Sequence, residues 1–254
     1  MLNHKFLGWI GWLTLILLIA GTAFYFFGGP LVTRTAQGLA PSAMAPSIDD
    51  FPVTANKSQP DAFTFNGCPP TGLGGDAELN LLENRVDEGK YVSISFDTLL
   101  ALRWPRNAER QAMSAWSPQN GAYIMQYQGM PVSLTGYIFL VKEAPPSPAN
   151  CNRNNFENMD WNVSLTSNPG DSAAQAIIAA VTPRVRSKHK WTIDALRTAG
   201  YQHLQVRISG WLLFNPTRPG DVGINRATLW EIHPVMQIEI FQNGRWVPLD
   251  KFEY

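Results

Sequence analysis

Hydrophobic and polar positions change rhythm along this chain, and each rhythm predicts a different kind of element. From Phe6 to Gly29 a run of Leu, Ile, Trp, Phe, Ala and Gly contains no charged side chain. A helix rises about 1.5 Å per residue and the hydrocarbon core of a bilayer is about 30 Å thick, so this run is long enough to cross once. It is too long for the apolar core of a cleaved export signal. The nearest small-x-small site, Ala43-Met44-Ala45, lies well beyond it and is followed by Pro46. The expectation is a cytoplasmic N-terminus over 1–5, a retained single-pass transmembrane helix over 6–29, and the rest outside the cytoplasm. Lys5 before the run and Arg34 after it orient it only weakly.

Residues 30–66 carry Pro, Ala, Ser and Thr without a sustained period and read as a flexible linker. Residues 67–129 read as a helical and loop subdomain. It opens on the glycine- and proline-rich stretch Gly67 to Gly75, which lacks the Lys and hydroxyl of a phosphate-cradling loop. Asp76 is placed to cap a helix in which Leu79, Leu82 and Val86 share a face, and a second short helix starts near Ser95 or Asp97 and stops before Pro105.

Beyond Met130 the period becomes two. Alternation over Val132 to Val141, Trp161 to Leu165 and Ile177 to Val181 predicts three strands. Helical spacing follows from Trp191 to Ala199, with Gly200 placed to end it, and Gln205 to Phe214 and Leu229 to Phe241 return to strands. Three strands, a helix and two strands is the order of an OB-fold, a five-stranded Greek-key barrel. The predicted fold class is therefore mainly β (α+β), with an OB-fold-like barrel over 130–254; a sandwich with an incidental helix is the alternative. Gly136 and Gly210 sit inside strands, where glycine serves a sharp bend or a close backbone approach.

Composition changes this picture in two places. The 254 residues carry a formal net charge of zero, so no global field announces nucleic acid or an acidic partner. Cys68 and Cys151 are the only cysteines, a pair that permits one disulfide in an exported domain without requiring it, and they lack the companion ligands of a zinc site. No metal site is assigned, and the residues leave the cofactor unknown. Walker, dinucleotide, His-Glu-x-x-His and Gly-x-Ser-x-Gly motifs are missing.

Asp160-Trp161-Asn162, Val181-Thr182-Pro183-Arg184, Gly210-Trp211-Leu212-Leu213 and Arg226-Ala227-Thr228-Leu229-Trp230-Glu231-Ile232-His233-Pro234-Val235 stand in succession. Over about residues 130 to 240 the chain resembles a family of bacterial exported or membrane-tethered proteins with an OB-like domain ending in a Trp-Glu-Ile-His-Pro strand. The resemblance implies a fold and an envelope location; the family has no firmly established activity. The chain departs from the family pattern at Asn162, where a His is usual, and at Ala180, where an acidic residue is usual.

Glu231 and His233 lie two apart on a strand and so face the same side, a carboxylate beside an imidazole, the least equipment for acid and base work. They are the candidate catalytic residues, against the alternative of a purely structural pair. Arg184, Arg226, Asp160 and Asn162 are the candidate ligand contacts, with arginines able to grip an anion by paired hydrogen bonds. Arg184, Arg186, Lys188, His189 and Lys190 form the densest basic cluster. It suits a solvated connection or anionic headgroups better than nucleic acid. Trp161, Trp191, Trp211 and Trp230 suit a barrel core better than a stacking platform.

Three functions follow: a membrane-anchored extracytoplasmic binding or assembly module, with an anionic ligand as one option; a metal-assisted phosphodiester or ester hydrolase, with Asp160 and Glu231 holding a divalent cation and His233 or a bound water as base; or a structural protein contacting envelope partners.

Overall fold

The computed structural model describes residue 55 and residues 60–253; the apolar run 6–29 and most of the linker lie outside them. Among the described residues no helix is long and apolar enough to cross a membrane. In chain order the elements are α1 (Ala77–Glu83), β1 (Val92–Ile94), α2 (Phe96–Ala101), α3 (Pro118–Tyr127), β2 (Pro131–Glu143), β3 (Trp161–Thr166), β4 (Ile177–Val181), α4 (Pro183–Arg186), α5 (Ile193–Tyr201), β5 (Gln205–Phe214), β6 (Trp230–Gln242) and β7 (Arg245–Pro248).

Strands β2 to β6 close on themselves. β2 pairs antiparallel with β3, β3 with β4, and β5 with both β6 and β2, while β4 runs parallel to β6. This is a mixed five-stranded barrel, consistent with an OB-like barrel. A two-sheet sandwich lacks such closure. β1 extends it in parallel beside β2, and β7 folds back on β6.

The strand glycines explain how so small a barrel shuts. A Cβ at Gly210 would stand 2.2 Å from the Pro234 carbonyl oxygen, and one at Gly136 2.5 Å from that of Thr166. Only a residue without a side chain admits these approaches. The β5–β6 register shifts at Gly210 and the β2–β3 register between Ile138 and Leu140, bulges that bend the sheet. Trp161, Trp191, Trp211 and Trp230 are all buried, with Leu134, Val163, Ile208, Ile232 and Leu196 of α5 in the same core.

Local signals place the helices. Asp76 caps α1 through the backbone N–H groups of Glu78 and Leu79, and the Ser95 hydroxyl caps α2 at Thr98. α5 starts later than the apolar spacing indicates, capped by Thr192, and it runs through Gly200 to Tyr201. Gly200 is not a terminator: a Cβ there would lie 3.2 Å from the Ile138 side chain, so the glycine lets α5 sit close to β2.

The segment ahead of the barrel is tied within itself from residue 61 onward and, through Leu73, to the connection that follows β2. Val86 N–H donates to the Asp61 carbonyl, Phe65 and Cys68 exchange backbone bonds, and Leu73 N–H donates to the Pro148 carbonyl. Cys68 and Cys151 form a disulfide across 83 residues of sequence. A loop that long loses much unfolded-state entropy when closed, so replacing both cysteines with serine is expected to cost about 2–5 kcal/mol. Urea unfolding of the oxidised protein and of the double variant carrying Cys68→Ser and Cys151→Ser measures it, and a difference under about 0.5 kcal/mol would show that the bridge is mechanically idle.

Candidate functional site: a buried charged cluster beneath α1

β6 brings Glu231 and His233 to the same side of the barrel, as their spacing requires, and His233 Nδ1 lies 3.0 Å from Glu231 Oε1. They do not face solvent. Glu231 is 2 % exposed and His233 5 %. A buried carboxylate is stable as an ion only with partners, and Glu231 has three: Arg226 donates from NH2 to Oε2 at 2.8 Å, and Asn215 and His233 both reach Oε1. Burial pushes the Glu231 carboxyl up, but Arg226, then His233 and Asn215, outweigh it and hold it down at about 2.

Glu83 is the member that reading the sequence missed. It is the last residue of α1, and its carboxylate lies 4.0 Å from His233 Nδ1. Burial is the main influence on it, lifting its carboxyl to about 7 against the opposing pull of His233. His233 is pressed down by burial but raised more by Glu83, Glu231 and Asp160 together, reaching about 9. The signal for Glu83 was present: it stands four residues after Leu79, which puts a carboxylate on the helix face that turns toward the core.

Asp160, just ahead of β3, is buried and accepts from Asn150 Nδ2 at 2.9 Å. Burial raises its carboxyl most, with His233, Asn150, Arg186 and Arg184 pulling it back. Arg184 differs most from expectation. The sequence placed it at a ligand-binding rim; the structure places it inside, 0 % exposed. Its guanidinium donates to the carbonyls of Phe63, Cys68 and Pro69 and to the side-chain oxygens of Asn84 and Asn150. Burial lowers it to about 10 despite nearby Asp160.

Arg186 is likewise buried, donating to the carbonyls of Phe156, Glu157 and Met159 and lying 4.4 Å from the Trp161 ring centroid. Two of the five residues of the basic cluster are thus interior, and the exposed part reduces to Lys188 and Lys190 beside the half-buried His189. Arg226 is buried as well, its Nε bound to the Thr228 carbonyl.

Asn162 does not join the cluster by hydrogen bond; it is half-buried on β3. Across the ladder its partner is Ala180.

Among the described residues a cleft of about 370 Å³ opens nearby, lined by Asp76 and Leu79 of the α1 end, Arg110, and Pro216 and Thr217 after β5. Asp76 is engaged there by α1 and by the Met113 N–H. Comparison with protein-family models, curated proteins and solved structures finds no match to this chain.

The cluster sets a pH dependence. Glu83 and His233 both titrate higher folded than in their ordinary state, so their contributions to stability are full below about 4.5 and 6.5 and are lost as pH rises through about 7 and 9. Glu231 titrates lower folded, so its contribution is present above about 4.5 and vanishes as pH falls through about 2. In the presence of a chelator, the melting temperature is expected to be highest at mildly acidic pH and to decline toward pH 9. A melting temperature that climbs steadily from pH 5 to 9 would contradict the charge assignments.

Proposed function

We propose that this chain is a membrane-anchored extracytoplasmic binding or assembly module, not an enzyme. One observation carries the reading: Arg184, Arg226, Asp160 and Glu231 are all buried, with their hydrogen bonds directed to the protein's own groups. A hydrolase with Asp160 and Glu231 around one ion would need the two carboxylates together, but Asp160 is tied to Asn150 and stands outside the group in which Glu231 lies within 4.8 Å of Glu83 and His233. An anion cannot be gripped by Arg184 or Arg226, whose donors serve the protein's own groups. Recognition then falls to the exterior, where Phe139 and Leu140 at the β2 bulge and Tyr201 at the end of α5 are exposed and suit a protein partner of the envelope.

The location is supported by the uncharged apolar run over 6–29 and by the disulfide, since such bridges persist in oxidising compartments. The test is to produce the full chain in a bacterium, extract membranes with sodium carbonate, and alkylate thiols before lysis. The chain is expected in the membrane pellet, with Cys68 and Cys151 unreactive until reduced. Detergent-free recovery from the soluble fraction, or free thiols at both positions, would overturn the assignment.

A further inference from the structure

Two carboxylates, the half-buried Glu83 from α1 and the buried Glu231 from β6, bring oxygens to within 4.8 Å of each other and of a nitrogen of His233. Like charges this close repel strongly away from water. Arg226 reaches the far oxygen of Glu231, Oε2, while Oε1 takes the Asn215 amide at 3.0 Å and lies 3.0 Å from His233 Nδ1. The Glu83 carboxylate accepts no hydrogen bond from any described residue; its nearest cationic neighbour is His233 at 4.0 Å. A closed structural salt-bridge network would leave no such gap at Glu83.

We propose that Glu83, Glu231 and His233 form a binding site for one divalent transition-metal ion of the zinc type. Ligands bound at about 2.0–2.1 Å around a tetrahedral ion stand roughly 3.4 Å from one another. The His233 Nδ1 separations of 3.0 Å from Glu231 Oε1 and 4.0 Å from Glu83 Oε1 bracket that value. One imidazole and two carboxylates is a borderline donor set that suits zinc better than the all-oxygen cages of calcium or magnesium. Three protein ligands leave a fourth position for water.

The surroundings are those a ligand set needs. Arg226 holds the Glu231 carboxylate by its far oxygen and Asn215 bonds Oε1 itself, fixing the orientation as outer hydrogen bonds do around ligating carboxylates. Glu83 supplies an entry path, since its side chain is 12 % exposed while those of Glu231 and His233 are 3 % and 5 %. The ion would also join α1 to β6, adding a fastening to the one the disulfide makes. None of this depends on catalysis or on the proposed location.

The test uses the full chain in detergent, stripped with a chelator and dialysed, with Zn2+ as the probe. Calorimetric titration is expected to give one ion per chain, and bound Zn2+ to raise the melting temperature. Both cysteines are in the disulfide, so thiols do not compete. Glu83→Gln keeps the shape of the side chain and removes its charge. This variant is expected to fold, judged by its near-ultraviolet dichroism, to keep the disulfide, and to bind Zn2+ at least about tenfold more weakly. No stoichiometric binding by the unsubstituted chain, or equal affinity in the Glu83→Gln variant, overturns the site. Failure of the binding-module reading would show instead in membrane partition and thiol reactivity, which Glu83→Gln leaves unchanged.

Discussion

Arg184→Met is expected to cost about 3–5 kcal/mol of folding stability, because it strips a buried cation from five acceptors, three of which it alone serves. Methionine is close in length and fills the space, so the loss comes from hydrogen bonds and not from a cavity. The Phe63 carbonyl and the side-chain oxygens of Asn84 and Asn150 lose their donor, the carbonyls of Cys68 and Pro69 keep only the N–H groups of Phe65 and Gly72, and Asp160 loses a nearby positive charge. Arg184→Lys is expected to recover only part of the loss, since a single ammonium cannot reproduce a planar fork that donates in several directions. Urea unfolding measures both. A loss for Arg184→Met of under about 1 kcal/mol would mean that the segment around Cys68 holds to the barrel by other contacts.

Glu231→Gln is expected to be as severe, again about 3–5 kcal/mol, or a fall in melting temperature of roughly 10 °C or more for a domain of this size. The amide matches the carboxylate in shape but leaves Arg226 buried without its counter-charge and turns a donor toward either Arg226 or Asn215. Asp and Ala in the same place add a cavity and confuse the reading, which makes Gln the cleaner choice. A Glu231→Gln protein that melts where the unsubstituted one does would return the pair to the status of a free chemical site.

The barrel was legible in the sequence because its information is local. Alternation marked β2 to β6, and turn residues such as Pro145-Pro146 and Asn215-Pro216 separated them. Asp76 and Ser95 announced the starts of α1 and α2 by their capping chemistry. The shorter pieces carried weaker signals: β1 is three residues long, β7 four, and α3 has a polar sequence in which only Ser117 and Pro118 mark the start. The pairing of Glu231 with His233 was likewise local, a consequence of strand period.

The role of the cluster was not legible, for a physical reason. A run such as Arg184 to Lys190 reads as solvated because most charge runs are, and nothing in its own composition says that carbonyls from residues 63, 68 and 69 will converge on the first arginine. Those acceptors lie more than a hundred residues away, in a stretch read as a linker running into a loop. Glu83 was overlooked because its meaning depends on α1 packing near β6, which no periodicity encodes. Sequence pattern locates strands; it does not show which charged side chains will be shut in when one segment closes over another.

The account rests on residues 61–86 being an integral wall of the barrel, with the charged cluster as the fastening between them. Amide hydrogen exchange of the full chain, followed peptide by peptide, tests this most directly. The N–H groups of Cys68, Leu73, Asn84 and Val86 are expected to exchange as slowly as those of β5 and β6, and Arg184→Met is expected to speed them up while β5 and β6 remain protected. Fast exchange over 61–86 in the unsubstituted chain, with β5 and β6 protected, would contradict it.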